Sequence, residues 1–308
     1  VGSGNINYDA GGDFIFGSVN VPGTDINLVA GGNVDIGSSF TADNINIDAT
    51  NISLGGIFGG GDLDLLAAGG IDFGDVDAGG TLSINSIDVF GGFASGGDVS
   101  ISASSIFVDS VSGGSVFVDG DDVTIGSADG GDVSISGSSF VDIGGVSASV
   151  IDIQGGSIFV GDAQGGSIGI SGDDVFVDNG DGDDITIDSG SFVTANTLIS
   201  TSDISVTAGN ADVTGTGDWI ANGGIDISNA ANIALNNLTS GDALSLSAQN
   251  VAVGNAMSNN GSVALNATAG DVSAGGISAN STIDLDATGD VSFGEATAGS
   301  GFTVDAGG

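Results

Sequence analysis

The chain contains no lysine, arginine, histidine or cysteine in 308 residues, and a single proline, Pro22. Each absence closes a branch of chemistry. Without Lys there is no Schiff base, without His no imidazole base, and without Arg no guanidinium clamp for phosphate or carboxylate. No carboxylate can find a salt-bridge partner among side chains, so the Asp residues must lie in water or meet cations from outside. Nucleic acid is excluded as a partner, because binding it depends on Lys and Arg neutralising phosphates. An anionic membrane surface is excluded for the same reason. No apolar run approaches the ~20 residues needed to span a bilayer, so membrane insertion is not expected. The lack of Cys removes disulfides and thiolate metal sites, and trypsin finds no cleavage site.

What is present is acidic and apolar at once. The net charge is −40, and Glu295 is the only acidic residue that is not Asp. Yet 40% of the residues are hydrophobic. A disordered acidic tail would be poor in apolar residues, so this composition predicts a folded chain.

An apolar–x–apolar signal recurs at nearly fixed spacing. Its anchors are Ile6, Ile26, Ile45, Leu63, Leu82, Val99, Val116, Val133, Ile151, Ile168, Ile185, Ile204, Ile225, Leu244, Val263, Ile283 and Phe302, spaced 17 to 21 residues apart. Each opens a short alternating stretch such as Val99-Ser-Ile-Ser. Period-2 alternation reads as a strand with one buried face. A second alternating stretch follows about eight residues later, as in Val34-Asp-Ile36, Ile71-Asp-Phe73 and Ile87-Asp-Val89. A third, weaker one lies around Val76, Val111 and Val146. Gly-Gly falls at 79–80, 96–97, 113–114 and 130–131 and returns at 165–166. A glycine column predicts a sharp corner taken at positive φ in every coil. A flexible Gly/Ser linker does not fit, because apolar residues alternate between the glycines. Frequent Gly and the lack of a 3.6-residue period argue against helices.

Together these features predict an all-β fold, a parallel β-helix of about 17 coils of 17–21 residues, forming a single solenoid over 1–308. Coils are wider over 1–81, slim at 17–18 residues over 82–185, and wider again over 186–308. Val-Gly-Ser-Gly opens in the style of the repeat, and Phe302 to Gly308 begin a coil and stop. The chain therefore reads as a stretch of a longer shaft.

The coil formula x-Val-x-Ile-x-Ala…Ile-x-Val…Gly-Gly resembles that of filamentous haemagglutinin-like proteins, the large exoproteins of two-partner secretion. The segments that carry the resemblance are Gly97-Asp-Val-Ser-Ile-Ser-Ala103, Thr24-Asp-Ile-Asn-Leu-Val-Ala-Gly-Gly32 and Asp203-Ile-Ser-Val-Thr-Ala-Gly209. The resemblance implies a right-handed β-helix at a bacterial cell surface or outside the cell. It implies a non-catalytic structural and adhesive shaft whose partner is a host or neighbour-cell surface. The alternative is a self-assembling subunit of an extracellular filament or sheath, with copies joining laterally or end to end. That family's secretion domain carries an Asn-Pro-Asn-type motif, and nothing in this chain matches it.

Enzymatic activity is not expected. A glycosidase needs two carboxylates ~5–10 Å apart, a spacing that 39 Asp on stacked coils meet by chance. The coils are too minimal to wall a cleft. Two acidic corners are candidates for calcium or other counter-cations: Asp119, Asp121 and Asp122, and Asp181, Asp183 and Asp184. Calcium takes six to eight oxygens from such corners, although the calcium-binding repeat G-G-x-G-x-D is not reproduced in register. A solvated acidic corner is the simpler reading, and no cofactor is required.

A candidate interface follows from the middle residue of the second strand, which should point outward between two inward neighbours. That column includes Asp72, Asp88, Phe107, Val141, Phe159, Phe176 and Val193. Phe117 is outward by the same logic on the first strand. An exposed aromatic strip often marks an interface. The competing reading is that the chain's own third strand or a corner covers it.

Overall fold

In the computed structural model, which describes residues 4–307, 81% of the chain is strand, and parallel stacked coils form a β-solenoid of about 16 turns. Residues 1–3 of the expected opening coil, and Gly308, lie outside the described residues. The chain divides into two compact units, Val1–Ser149 and Val150–Gly308.

In the first unit the anchors align in one register. Ile6 pairs with Ile26, Ile26 with Ile45, Ile45 with Leu63, Leu63 with Leu82, Leu82 with Val99 and Val99 with Val116. From Ile26 onward every one of these anchors is buried. The alternation that placed them in one file is also what buries them, since alternate strand residues point to opposite faces. Each buried Ile, Leu or Val contributes about 1.5–3 kcal/mol. The second strand supplies Ile71 and Phe73, and the weaker third stretch supplies Val76, Val111 and Val146, all buried. The second unit repeats the scheme, with Ile185, Ile204, Ile225, Leu244, Val263 and Ile283 in one register and all buried.

The glycine corners form for a different reason from the one expected. Among the described residues the only glycine at positive φ is Gly23. The Gly-Gly columns are instead places where successive coils touch. A Cβ on Gly114 would lie 2.6 Å from the Gly97 carbonyl oxygen, and one on Gly131 would lie 2.6 Å from that of Gly114. A second glycine column, less obvious in the sequence, closes the turn after the second strand. There a Cβ on Gly126 would lie 2.5 Å from the Asp109 carbonyl oxygen, and one on Gly144 would lie 2.5 Å from that of Gly126. Any side chain at these positions would push the coils apart.

Core packing is compensated coil by coil. Inward Phe73 aligns with Gly91 of the next coil, and a Cβ on Gly91 would overlap the Phe73 ring. In the second unit, Trp219 is fully buried and its Nε1–H donates to the Ala195 carbonyl at 3.2 Å. Ser189, Ser200 and Ser240 are buried too, and their hydroxyls donate to backbone carbonyls, as Ser189 does to Asp173 at 2.7 Å. Among the described residues no buried side-chain nitrogen or oxygen lacks a partner, as buried polar groups require.

Candidate interaction surface

The outward file of the second strand in the first unit reads Ile15, Asp35, Ser53, Asp72, Phe90 and Phe107, each aligned with the next by strand pairing. Phe90 and Phe107 are 59% and 43% exposed, and their rings stack with centroids 4.9 Å apart and planes 12° apart. In the second unit, Phe159 and Phe176 stack at 4.5 Å with planes 8° apart, and Phe192 meets Phe176 edge-on at 4.9 Å. Phe117 is exposed on the first strand, as expected, and aligns with Ser100.

Two residues assigned to the outward column do not belong there. Val141 and Val193 are both 0% exposed. Val193 aligns with buried Val213, and the outward position falls on Thr194, whose hydroxyl lies 3.0 Å from that of Thr214 in the next coil. In the other coil, buried Val141 and Ile143 flank Asp142, which takes the outward place. Fixed spacing assigns the wrong parity when a coil gains or loses one residue, because a shift of one residue exchanges the two faces. A different slip, of two residues and so without a change of face, hides Phe90. Val89 aligns with Ile71 and Ile106, so Ile87 falls in the corner at 53% exposure, and Phe90, not Asp88, is the middle residue.

Several carboxylates in this chain are met by N–H and O–H donors. Asp25 accepts from the Asn44 side-chain amide at 2.8 Å, and Asn179 and Asn232 donate at 2.8 and 2.7 Å to Asp162 and Asp212. Other acidic side chains accept the backbone N–H of the next coil: Asp62 from Thr81 at 2.9 Å, Asp98 from Ser115 at 3.1 Å and Asp203 from Gly224 at 2.6 Å. The acidic corners follow this pattern. Asp121 accepts from the Ser138 hydroxyl at 2.6 Å, Asp183 from Thr201 at 2.6 Å, and Asp184 from the Asp203 N–H at 3.4 Å. Asp119, Asp122 and Asp181 are exposed. Among the described residues no group of three or more carboxylates converges as a metal shell would require, so neither corner brings its three Asp together as a ligand set.

Two open grooves mark the first unit. One runs along the second-strand face and is lined by Asn33, Asp35, Asn51, Ser53, Asp72, Asp88 and Phe90. The other follows the first-strand face past Asn7, Asn27, Asn46 and Asp64, where the Asn46 amide donates to Asn27 at 2.8 Å. Among the described residues no helix is long and apolar enough to cross a membrane. Comparison with protein-family models, curated proteins and solved structures finds no match to this chain.

Proposed function

We propose that the chain is a non-catalytic structural and adhesive shaft of an exported bacterial surface protein, as in the filamentous haemagglutinin-like exoproteins its coil formula resembles. The observation that carries this reading is the economy of the coils. Nearly every residue of each unit is spent on an inward apolar file, a glycine corner or a short outward face. The grooves are open surface features, and among the described residues no long loop is built up around them. Solvated carboxylates on an apolar core keep such a surface soluble, and the exposed Phe90–Phe107 pair and the partly exposed Phe159–Phe176 pair give it something to hold with.

Beads coated with the chain test the reading. They are expected to adhere to bacterial or animal cells. Beads coated with a variant carrying Ser at Phe90, Phe107, Phe117, Phe159 and Phe176 are expected to lose most of that adherence while circular dichroism stays unchanged. Equal adherence by the two coats, or none by either, overturns the adhesive role. The filament alternative is read in the same preparations by sedimentation, where concentration-dependent growth abolished by the Ser variant would favour it.

A further inference from the structure

The geometry points to a clamp for guanidinium groups between Phe90 and Asp72 in the first unit, which would make an arginine-bearing extended polypeptide the partner of this face. The inference deepens the adhesive reading by naming the chemistry of the partner, and rests on that reading only for its biological setting.

Phe90 is the most exposed phenylalanine of the chain, at 59%. Its ring is covered on one side and lines the open groove that runs over the preceding coils. Phe107, on the following coil, stacks against it with planes 12° apart. The opposite face of the Phe90 ring is therefore turned toward the preceding coil, where Asp72 holds the same file position. Asp88 stands two residues before Phe90 on the same strand and the same outward face. All three line one open groove. A free aromatic face beside two exposed carboxylates attracts a cation through the ring quadrupole and the carboxylate charge together. A planar guanidinium suits it better than an ammonium, because it can stack on the ring while its N–H fork meets the carboxylate.

Charge selects among occupants. A second copy of this chain would bring 40 acidic side chains and no cation, so it has no guanidinium to offer this site. Nucleic acid and anionic lipid fail for the same reason. A neutral sugar would be served best by a ring lying flat to solvent, whereas the Phe90 and Phe107 faces are turned along the file. The chain's carboxylates have no Lys, Arg or His to neutralise them, so a cationic partner meets no internal competitor. The groove also sets a spacing. Asp35 and Asp72 stand two coils apart in one file, about 10 Å at the inter-strand repeat. Three residues of an extended chain in the polyproline II conformation make one turn and rise about 9 Å, so arginines at every third position would point the same way and reach Asp35 and the Asp72–Phe90 clamp in turn.

Fluorescently labelled (Arg-Gly-Gly)4 and (Lys-Gly-Gly)4 peptides titrated onto the full chain at about 150 mM NaCl, where long-range attraction is screened, test the clamp. The arginine peptide is expected to bind about tenfold more tightly than the lysine peptide. Phe90→Ser and Asp72→Asn should each erase that preference, and Asp284→Asn, on a first strand of the second unit, should not. Phe90→Leu, which keeps the apolar bulk but removes the ring, should behave as Phe90→Ser does. Equal binding of the two peptides, or a preference that survives Phe90→Leu, overturns the clamp in favour of unspecific polyelectrolyte attraction. Displacement of the arginine peptide by neutral cellohexaose in a Phe90-dependent manner overturns it in favour of a glycan platform. Beads that adhere although peptide binding ignores Phe90 would sink the clamp and leave the adhesive reading standing. Phe90-dependent peptide binding by beads that do not adhere would do the reverse.

Discussion

At the scale of single residues the fold is governed by how closely one coil approaches the next. Gly91 lies under the buried ring of Phe73, and a Cβ there would overlap it. Gly56 is a contrasting position, where the nearest atom to a Cβ is the Asp75 carbonyl oxygen at 3.6 Å. Gly91→Ala should therefore lower stability by about 1–3 kcal/mol through overpacking, while Gly56→Ala should leave it within about 0.5 kcal/mol. Urea denaturation of the two variants checks this, and equal costs would show that Gly91 is not a packing position. Trp219 offers the opposite test. Its indole is fully buried and hydrogen-bonded, so Trp219→Ala should cost about 3–5 kcal/mol by leaving a cavity and removing the bond to the Ala195 carbonyl. The glycine doublets were visible in the sequence, but their cause was not. Composition suggests a need for positive φ, and only the contact between coils reveals the absence of room for a Cβ.

At the scale of one coil on another, Asx side chains act as acceptors for the coil that follows. Asp62 receives the Thr81 N–H at the entry to a first strand, and Asp98 does the same for Ser115. The hydrogen bond favours folding and the charge opposes it, since no cation of the chain stands nearby. The two effects separate by substitution. Asp62→Asn keeps the acceptor oxygen and removes the charge, so it should melt at or above the wild-type temperature at low salt. Asp62→Ala removes both and should fall below Asp62→Asn by about 1 kcal/mol, the net worth of a hydrogen bond. If Asp62→Ala were as stable as Asp62→Asn, the side chain would carry no structural weight. The sequence marks such residues only as acidic corners. Their ladder function depends on a partner one coil away, which no local pattern names.

At the scale of the molecule, self-repulsion sets the conditions under which the solenoid is stable. The forty carboxylates divide evenly, twenty in each unit. Forty charges over about 16 turns, at ~4.8 Å per turn, amount to one charge per ~2 Å, close to the density of duplex DNA. Exposed like charges within a Debye length repel, and the Debye length shrinks from about 30 Å at 0.01 M to about 8 Å at 0.15 M salt. The melting temperature should rise as NaCl is raised over that range, and millimolar Mg²⁺ or Ca²⁺ should give the same gain at far lower ionic strength. A melting temperature indifferent to salt and to chelator would mean that the carboxylates are too well solvated to oppose folding.

The amino-acid sequence by itself determined the class of fold. A period of 17 to 21 residues, two alternating stretches in each period and glycine between them admit one arrangement, in which each coil buries its apolar face on its neighbours. It also determined the sign of the surface charge, because a chain without a single basic side chain leaves every carboxylate without a cationic side-chain partner. Tertiary structure alone decided which outward residues stand together. Alternation has a period of two, so one residue gained or lost in a coil exchanges inside for outside. That is why Val141 and Val193 turned inward, whereas a slip of two residues, which keeps the face, put Ile87 in a corner and Phe90 beside Asp72 and Phe107. The registry between coils is a property of the stack, and it is the stack that assembles the surface.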